Sequence, residues 1–508
     1  MTRPHIYGRE DVHALTAFEA TAWDRTAREQ HDIPERVLME NAGRAVAAVI
    51  HRLYPRGRVV ALVGSGHNGA DALIALRALH GWGRDVSWLP AGARSDDAVV
   101  LHDWPIPAAQ PAALNQAAVL IDGALGTGTR GPAREPVAAS LRLLNETGLP
   151  IVAVDLPSGV DATTGAVEGE AIHAQVTVTF GAAKVGLLLH PARAHCGRLL
   201  VAEIGFPPLT QVPSAQLITP AWAHARLPRR SPTAHKGSSG RLLLLAGSYG
   251  MAGAAALAGQ AALRAGAGLL RIVSTIDNRE ILQTLVPEAT FFDHTDELPI
   301  GGIHAFVAGC GLSTEEEARA VLERALDATG TIPVVLDADA LNLFTDRGAA
   351  LTRLAASRPV VLTPHIRELA RISGLDETGI LRDPIGSARG FAQQTNAVVL
   401  LKGQPSVVAA LGEPVLINTT GSSDVATGGM GDQLAGMIGA FLAAGAPPRA
   451  AAALALFYGG RAADLARCGR SLSPQDVTAT LHRAFRFPGA RRSKLGLPFI
   501  TFDQPPRW

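Results

Sequence analysis

Short apolar runs without polar alternation recur along this 508-residue chain, and loops rich in Gly, Asp or Ser follow them. A strand with one solvent-exposed face alternates polar and apolar residues, so unbroken runs favour strands that are covered on both faces. The pattern therefore predicts an α/β protein with parallel sheets, whose functional loops follow the carboxyl ends of the strands. In chain order the runs are Val59–Val63, Ala118–Ile121, Ile151–Val154, Gln175–Phe180, Leu242–Leu245, Ala305–Ala308, Val334–Leu336, Val360–Leu362 and Val398–Leu401.

The chain is too long for one ordinary domain, since single domains usually contain roughly 100–200 residues. A stretch rich in proline and poor in apolar runs follows Phe206, which is typical of an interdomain linker. We therefore predict a first domain over residues 1–206, a linker over 207–232 and a second domain over 233–490. No function is assigned to the tail, residues 491–508.

Composition excludes several classes of protein. A formal net charge of +1 without a basic block argues against nucleic acid or an anionic membrane as the main partner. The three cysteines lie far apart without a CxxC pair, so neither a disulfide framework nor a zinc site is predicted. The N-terminal residues do not resemble a signal peptide, and apolar stretches fall short of the ~20 residues that span a bilayer. We expect a cytoplasmic protein.

Lysine is rare in this chain compared with arginine. Of 46 basic residues, only four are lysines, namely Lys184, Lys236, Lys402 and Lys494. The first three lie beside glycine-rich turns, where a compact, rotatable ammonium group differs most from a planar guanidinium. Chance under a biased genome explains the rarity equally well, so this pattern alone does not decide.

Polar side chains follow the four apolar runs of the first half. Because the carboxyl ends of parallel strands meet at one edge of a sheet, we expect these side chains to lie together. Their amide, carboxylate and hydroxyl oxygens suit a hard cation, although Asp71 and Ser158 taken singly are as readily explained as turn or helix-cap residues. The residues are Asn68, Asp71, Asp122, Asp155, Ser158 and Lys184.

Three of these loops resemble the signature loops of the NAD(P)H-hydrate epimerases. They are the loops at 67–71, at 122 with 126–131, and at 155–159, and the similarity covers about residues 10 to 206. The resemblance implies a Rossmann-like domain that interconverts the two C6 epimers of hydrated NADH or NADPH beside a bound potassium ion. Asp155 would then be the carboxylate that handles protons, with Lys184 nearby.

The resemblance also assigns binding residues by position. Potassium would be held near Asn68, Asp122 and Ser158. The hydrated dinucleotide would be bound by His67, Asn68, Gly69, Ala70, Asp71, Gly126, Thr127, Gly128, Thr129, Arg130, Gly131, Asp155 and Lys184. His67 and Ala70 depart from the usual Asn and Gly of the family. If position 70 requires a positive φ, alanine there costs ~1–2 kcal/mol.

In the second half, the stretch 426–436 combines four glycines with one carboxylate, Asp432, just before an apolar helical run. Glycines let a ligand approach the backbone, and the start of a helix favours a phosphate. Beside a bound polyanion, Asp432 would be useful as a group that exchanges protons. A tight turn with Asp432 as a helix cap is an equally good interpretation of this stretch alone.

Other loops of the second half carry similar groups. Lys402 and the following residues to Ser406 would form a phosphate clamp from one ammonium, backbone N–H groups and a hydroxyl. His365 is more readily explained, by itself, as a buried histidine with satisfied hydrogen bonds. Asp337 and Asp339 are as readily explained as caps at a strand end.

The second half carries six motifs in order, at residues 235–237, 253–254, 337–342, 362–365 with Glu368, 401–403 and 427–432. Together they resemble the ADP/ATP-dependent NAD(P)H-hydrate dehydratases, over about residues 230 to 485. The resemblance implies a ribokinase-like fold, a Mg²⁺ ion with Glu368 near it, and Asp432 as the catalytic base. The hydrate would be bound by Ala254, Gly311, His365 and Asp432. The phosphoryl donor would be bound by Lys402, Gly403, Gln404, Pro405, Ser406 and Gly431.

Together the two resemblances predict a bifunctional enzyme for hydrated NADH and NADPH. One domain would epimerise the R and S hydrates, and the other would dehydrate the S form with ADP or ATP as phosphoryl donor. A homo-oligomer is expected. The alternatives are a ribokinase-type kinase that keeps its phosphorylated product, and a first domain that only binds or assembles.

Overall fold

The computed structural model of the chain describes residues 10–92, 101, 104–237, 239–345, 347–486 and 499–501. These residues form two compact units that divide between Ala215 and Gln216, and the strand Phe499–Thr501 belongs to the first unit. Within these ranges no helix is both long enough and apolar enough to cross a bilayer. The residues that begin the chain, and most of the predicted tail, lie outside the described ranges.

The first unit alternates strands with helices. Its strands are β1 (His13–Leu15), β2 (Arg58–Val63), β3 (Val86–Pro90), β4 (Ala117–Gly123), β5 (Ile151–Val154), β6 (Val176–Phe180), β7 (Ala183–Lys184) and β8 (Arg198–Ala202). Its helices are α1 (Ala17–Gln30), α2 (Glu35–Leu53), α3 (His67–Gly81), α4 (Val137–Glu146) and α5 (Ala192–His195), with 3₁₀ turns at Pro111–Gln116 and Val185–Leu188.

Six of these strands form a parallel sheet in the order β8-β6-β5-β4-β2-β3, and Phe499–Thr501 pairs antiparallel with β8. Along β2, Val59 and Ala61 pack with α2 and α3, whereas Val60 and Leu62 pack with α4 on the other face. Both faces are therefore buried, which is why residues 59–63 of the strand are all apolar. The prediction of a three-layer parallel α/β unit is confirmed.

The second unit is larger and repeats the same alternation. Its strands are β9 (Ala215–Leu217, at the boundary), β10 (Arg241–Leu245), β11 (Leu269–Ser274), β12 (Thr290–Asp293), β13 (Ala305–Ala308), β14 (Val334–Leu336), β15 (Val360–Leu362), β16 (Val398–Leu401), β17 (Val407–Ala409) and β18 (Val415–Ile417). Its helices are α6 (Pro220–Arg226), α7 (Ala252–Ala265), α8 (Arg279–Leu285), α9 (Glu316–Thr329), α10 (Asp339–Asn342), α11 (Gly348–Ser357), α12 (Ile366–Ser373), α13 (Glu377–Arg382), α14 (Pro384–Thr395), α15 (Met430–Ala443), α16 (Pro448–Ala466) and α17 (Pro474–Ala484). Short 3₁₀ turns lie at Ile276–Asn278, Ser423–Val425 and Gly469–Ser471.

The sheet of the second unit has the order β12-β11-β10-β13-β14-β15-β16-β17-β18. The strands from β12 to β16 run parallel, and β17 and β18 continue the sheet antiparallel. The loops predicted to carry chemistry therefore leave β10, β13, β14, β15 and β16 at the same edge.

The stretch predicted as a linker, residues 207–232, contains regular structure. Strand β9 and helix α6 lie within it, and Thr219 caps α6 by accepting a hydrogen bond from the Trp222 N–H at 3.0 Å. The Trp222 side chain is buried in the core of the second unit. The high proline content concealed these two elements, because Pro220 is well placed at the first turn of a helix.

Helices α7 and α15 pack together through small residues. A Cβ added at Gly436 would lie 2.0 Å from the carbonyl oxygen of Ala258, so the two backbones are in direct contact there. This contact fixes α15 against α7.

We predict that Gly436→Ala destabilises the second unit by about 1–3 kcal/mol, because a methyl group cannot displace the backbone of α7 cheaply. Gly390→Ala is the matched control, since Gly390 also lies in a helix but has no atom within 4 Å of an added Cβ. The control should stabilise slightly, by about 0.4–1 kcal/mol. Urea unfolding followed by circular dichroism measures both, and equal effects at the two positions would contradict the packing argument.

Candidate functional site

The glycine-rich loops of the first unit pack closely against each other. A Cβ at Gly64 would lie 1.8 Å from the Ala124 carbonyl oxygen, and one at Gly69 would lie 2.0 Å from the Gly64 carbonyl oxygen. In contrast, a Cβ at Gly66 or Gly128 would meet no atom within 4 Å. Gly64 and Gly69 therefore serve packing, whereas Gly66 and Gly128 face open space in which a ligand can approach.

The three side chains predicted to hold potassium belong to one hydrogen-bonded network. The Asn68 amide donates to the carbonyl oxygens of Leu125 at 3.0 Å and Val154 at 2.7 Å. The Ser158 hydroxyl accepts a hydrogen bond from the Leu125 N–H at 2.8 Å and donates to Asp122 Oδ1 at 2.6 Å. The loops after β2, β4 and β5 are thus joined, and the structure brings these three residues together as predicted.

The Asp122 carboxyl group is fully buried at the end of β4. It accepts hydrogen bonds from the backbone N–H groups of Ser158 at 2.7 Å and Ala124 at 3.2 Å. Burial nevertheless raises the pKa of Asp122 to about 6, because these hydrogen bonds offset only part of the cost of removing the charge from water. A cation bound beside it would relieve that cost.

Asp155 and Lys184 form a buried ion pair. The Lys184 ammonium lies 2.5 Å from Asp155 Oδ1, and the two side chains are only 6% and 9% exposed, respectively. Thr179 donates to the same oxygen at 2.9 Å. Asp155 has a positive φ of 63°, an unusual backbone conformation for a non-glycine residue that is typical of functional positions. The predicted proton-handling carboxylate is therefore held firmly in place.

Asp71 lies in the second turn of α3 and is buried. Its Oδ1 atom has no hydrogen-bond partner within the described residues, and α3 has no side-chain cap, so the alternative of a cap role for Asp71 is wrong. Burial, together with the carboxylates of Asp155 and Glu35, holds the pKa of Asp71 well above its usual range. Asp71 is thus a carboxyl group that favours its neutral form.

Ala70 and His67, which differ from the residues usual in the first epimerase loop, lie in different surroundings. Ala70 lies inside α3, away from the positive-φ region, so the strain that alanine would cause there is absent. His67 is exposed, and its Nε2 atom lies 3.0 Å from Glu35 Oε1. Neither residue distorts the loop.

The loop after β4 turns back over Asn68. A Cβ at Gly126 would lie 2.7 Å from Asn68 Oδ1, the Thr129 N–H donates to the Gly126 carbonyl at 3.0 Å, and Gly131 has a φ of +72°. The exposed Arg130 reaches Asp161 at 3.3 Å. The structure therefore places Gly126 against Asn68, and the rest of the predicted dinucleotide loop follows it, namely Thr127, Gly128, Thr129, Arg130 and Gly131.

In the second unit, the glycine-rich turn leads directly into α15. Gly429 precedes the helix with a φ of +87°, and Asp432 lies in its first turn without capping it. A Cβ at Gly431 would lie 3.6 Å from Lys402 Nζ and 3.7 Å from Asp337 Oδ2. The first N–H groups of the helix have no intrahelical acceptor, so this end of α15 is suited to a phosphate.

Asp432 sits among other acidic groups. Burial, together with the negative charge of Asp337, raises the pKa of Asp432 to about 6, while Lys402 and a hydrogen bond with the Cys310 thiol oppose the rise. Burial likewise raises the pKa of Cys310 well above its usual range, so this thiol stays protonated. Asp432 can therefore exchange a proton near neutral pH. The contact with Cys310 was not anticipated, because β13 and α15 are far apart in the sequence.

Lys402 joins three strand ends. Its ammonium lies 2.7 Å from Asp337 Oδ1 and 3.7 Å from Glu368 Oε2. Burial lowers the pKa of Lys402, but the charges of Asp337 and Glu368 outweigh it and raise the pKa overall. Asp337 is therefore an ion-pair partner, and the alternative of a strand-end cap is wrong for it. Asp339 does bond locally, since it accepts from the Ser313 N–H at 2.9 Å.

His365 begins α12 and is not a buried histidine. Its Nδ1 atom accepts hydrogen bonds from the N–H groups of Arg367 at 3.1 Å and Glu368 at 3.2 Å, and Glu368 bonds in return to the His365 N–H at 2.8 Å. The side chain is 48% exposed, and its other ring nitrogen, Nε2, lies 3.6 Å from Glu368 Oε1. Burial and the charge of Lys402 lower the pKa of His365, and the opposing effect of Glu368 does not outweigh them. The lowered pKa favours the neutral imidazole.

The remaining predicted residues lie at the same edge. The clamp Lys402, Gly403, Gln404, Pro405 and Ser406 is closed by the Ser406 hydroxyl, which accepts from the Gly403 N–H at 3.2 Å. Gly311 has a φ of +59°, and a Cβ on it would lie 2.9 Å from that of Ala254, so these two predicted hydrate residues adjoin each other.

The three cysteines are separate thiols: Cys196 and Cys310 are buried and Cys468 is half-buried. Among the described residues there is no group of three or more His, Cys, Asp or Glu side chains that could hold a metal ion. A divalent ion at Asp337 and Glu368 would therefore need phosphate oxygens to complete its ligands.

Comparison with known proteins agrees with this division into two sites. Two family models match the chain: one described as YjeF-related protein N-terminus over residues 35–186, and one described as NAD(P)H-hydrate dehydratase over residues 242–483. A relative from Moorella thermoacetica, named as a bifunctional NAD(P)H-hydrate repair enzyme, is 36% identical over 491 residues, which cover 89% of this chain and 92% of the relative.

Two further similarities concern another relative and a solved structure. A relative of the same name from Pyrobaculum aerophilum is 35% identical over 507 residues, which cover 94% of this chain and 98% of the relative. A solved structure of the ADP/ATP-dependent NAD(P)H-hydrate dehydratase from Bacillus subtilis, co-crystallised with ATP and Mg²⁺, is 31% identical, with a TM-score of 0.48. The matched region covers 55% of this chain and 99% of the chain in that structure.

We predict that Lys184→Met destabilises the first unit by about 3–5 kcal/mol, because it leaves the Asp155 carboxylate buried without a counter-charge. Arg142→Met is the matched control, since the Arg142–Glu170 pair is exposed at a similar distance of 3.1 Å and should contribute little. Chemical unfolding of the full chain measures both variants. Similar losses at the two positions would show that the buried pair is not a special constraint.

Proposed function

The chain belongs to the family of bifunctional NAD(P)H-hydrate repair enzymes, and we propose which of its residues perform each of the two reactions. The observation that carries the proposal is that each unit holds one buried aspartate beside a lysine at the carboxyl edge of a parallel sheet. In the first unit the aspartate is Asp155. In the second unit Asp337 holds Lys402 in place, while Asp432 is the group that exchanges a proton.

The dehydratase reaction is assigned to the second unit, whose family is ribokinase-like. The substrate carries a hydroxyl at C6, which is a poor leaving group. Asp432 accepts the proton of that hydroxyl while the hydroxyl oxygen attacks the terminal phosphorus of ADP or ATP. The nucleotide then leaves with one phosphate fewer. Loss of the new phosphate from C6 and of a proton from C5 then restores the ring double bond.

The charge that develops on the transferred phosphoryl group is met by two groups. The N–H groups at the start of α15 point at it, and Lys402 lies within 3.6 Å of a Cβ built at Gly431. The clamp from Lys402 to Ser406 binds the phosphoryl donor. Ala254, Gly311 and His365 lie around Asp432 and bind the hydrate.

A magnesium ion fits this site when phosphate is present. Mg²⁺ is usually bound by one or two carboxylates together with substrate phosphates, and Asp337 and Glu368 supply such carboxylates beside the phosphate position. The ion would neutralise phosphate charge. Asp337 and Glu368 would in addition keep Lys402 oriented toward the donor.

The epimerase reaction is assigned to the first unit. The loops at 67–71 and 126–131 bind the hydrated dinucleotide, and Gly66 and Gly128 leave space for it. Asp155, held by Lys184 and Thr179, exchanges a proton with the C6 hydroxyl of the substrate. Spontaneous hydration yields both epimers, so this step supplies the S form to the dehydratase.

Potassium fits the network of Asn68, Asp122 and Ser158. These residues offer an amide oxygen, one carboxylate and a hydroxyl, and oxygen ligands of this kind suit hard cations. The high pKa of Asp122 supports the assignment, because a cation would stabilise the carboxylate that burial disfavours. The ion would fix the three loops that carry Asn68, Asp122 and Ser158.

The finer features of the proposal rest on the family and the composition. The substrates are the hydrates of NADH and NADPH, with ADP as the expected phosphoryl donor. The near-neutral net charge of +1 supports small-molecule partners over nucleic acid. We place the protein in the cytoplasm, where reduced nicotinamide coenzymes are used, and expect a homo-oligomer.

We predict that Asp432→Asn abolishes dehydration of the S hydrate in the presence of ADP, because asparagine cannot accept the hydroxyl proton. In the unsubstituted protein the rate should rise with pH through about 6 and level off above it, since Asp432 acts in its ionised form. Absorbance of the restored reduced nicotinamide measures the rate. A rate that falls with rising pH across this range would contradict the assignment.

We predict that Asp155→Asn stops conversion of the R hydrate while the S hydrate is still consumed. Asparagine keeps the shape of the side chain but cannot exchange the proton. Chromatography that separates the two epimers measures the conversion of the R hydrate directly. If the first unit were only a binding module, the variant would convert the R hydrate at the same rate.

The same chromatographic assay of epimer conversion tests the potassium site. Activity should be greater in potassium chloride than in choline chloride at equal ionic strength, and Asp122→Asn should remove the difference. Thermal unfolding in the two salts provides a second measurement that does not depend on turnover. Equal stability and activity in both salts would oppose a potassium site.

A further inference from the structure

The second unit contains a cavity of about 300 Å³ that none of the residues assigned above lines. We call it the acidic cavity, after the two carboxylates on its wall. The residues that matter to its chemistry are Ser248, Tyr249, Thr275, His294, Glu315 and Glu317.

The acidic cavity lies at the same sheet edge as Asp432 but to one side of it. Its residues come from the loops after β10, β11 and β12 and from residues 312–321 after β13, whereas Asp432 lies near Cys310 and Asp337, which follow β13 and β14. The cavity therefore begins beside the loop that carries Cys310 and extends away from Asp432 toward β12. The donor clamp follows β16, on the opposite side of Asp432.

The two places are connected through the backbone. The Ser248 N–H donates to the Gly311 carbonyl at 2.6 Å, and Gly311 adjoins Ala254 in the hydrate site. Leu312, the next residue, lines the cavity. A substrate bound at Asp432 can therefore extend toward the cavity while the phosphoryl donor approaches from the other side.

The cavity wall offers polar atoms to a ligand. The Thr275 hydroxyl oxygen is buried and has no hydrogen-bond partner among the described residues. A buried hydroxyl without a partner is costly, and a ligand that bonds to it would remove that cost. Tyr249 is 82% exposed and offers an aromatic face on which a base can stack.

The same wall is unfavourable for a phosphate. Glu315 and Glu317 line it, and Glu316 lies between them at the start of α9. The positive end of a helix corresponds to roughly half a charge, which three carboxylates more than offset. His294 lies 3.0 Å from Glu317 and compensates it only if protonated. Hydroxyl groups of a ribose, in contrast, can donate to these carboxylates.

We propose that the acidic cavity binds the adenosine half of the hydrated dinucleotide and that Glu315 and Glu317 select hydrated NADH over hydrated NADPH. The two dinucleotides differ by the 2′-phosphate on the adenosine ribose, which these carboxylates repel. This inference rests on the proposed dehydratase function of the second unit.

The test compares kcat/KM of the full-length protein for the S hydrates of NADH and NADPH with ADP. The protein should prefer hydrated NADH by at least about tenfold, since each exposed carboxylate repels the phosphate modestly. Glu315→Gln combined with Glu317→Gln should bring the ratio to within about threefold of unity. Glu316→Gln is the matched control, because Glu316 does not line the cavity, and it should leave the ratio unchanged.

A shorter substrate tests whether the adenosine half binds in the acidic cavity. Hydrated nicotinamide mononucleotide lacks adenosine, so Thr275→Val and Tyr249→Ala should each lower kcat/KM for hydrated NADH several-fold without affecting the mononucleotide. A loss on both substrates would place these residues elsewhere. Equal rates for both dinucleotide hydrates, unchanged in the doubly substituted protein, would overturn the proposal while leaving the dehydratase function intact.

A binding measurement without turnover distinguishes the proposed dehydratase function from the proposed binding of adenosine in the acidic cavity. Fluorescence titration with NADH and NADPH should show tighter binding of NADH, and the doubly substituted protein should lose that preference. If neither hydrate were consumed but this preference were found, the dehydratase assignment would fail and the cavity assignment would stand. Equal binding of NADH and NADPH that the substitutions do not change would overturn the cavity assignment.

Discussion

A lysine ammonium paired with a buried aspartate organises each of the two sites. Lys184 meets Asp155 at 2.5 Å in the first unit, and Lys402 meets Asp337 at 2.7 Å in the second. A buried charge is tolerated only when it is paired, so each pair fixes the loops that carry its members at one sheet edge. Lysine suits both places because its ammonium is compact and can contact several oxygens around it, as Lys402 does with Asp337 and Glu368. The other predicted residues are positioned relative to these two pairs.

Much of the fold could be predicted from the sequence because the strands are buried on both faces. The unbroken apolar runs predicted the central strands to within a few residues, and the loops at their carboxyl ends do lie together. Strand β9 and helix α6 were missed, because proline was taken as a sign of a linker although it also begins helices. Local composition cannot separate these two uses of proline.

Residue roles were harder to predict than positions. Glycines alike in the sequence have different uses: Gly64 and Gly69 permit two backbones to touch, whereas Gly66 and Gly128 leave space. His365 caps a helix through one ring nitrogen and remains half-exposed, which no sequence pattern distinguishes from a buried histidine. The contact between Cys310 and Asp432 depends on the packing of β13 against α15, so it requires the tertiary structure.

The edge of the second sheet also bears on the choice between a dehydratase and a kinase for a small alcohol. A small acceptor would need only Asp432 and the start of α15. Here the clamp follows β16, whereas the acidic cavity lies at the ends of β13, β10, β11 and β12, so Asp432 stands between the two along the sheet edge. An edge with room for a nucleotide on each side of the base suits a nucleotide donor and a dinucleotide acceptor. The geometry that places Asp432 between them therefore favours transfer from one nucleotide to another over phosphorylation of a small alcohol.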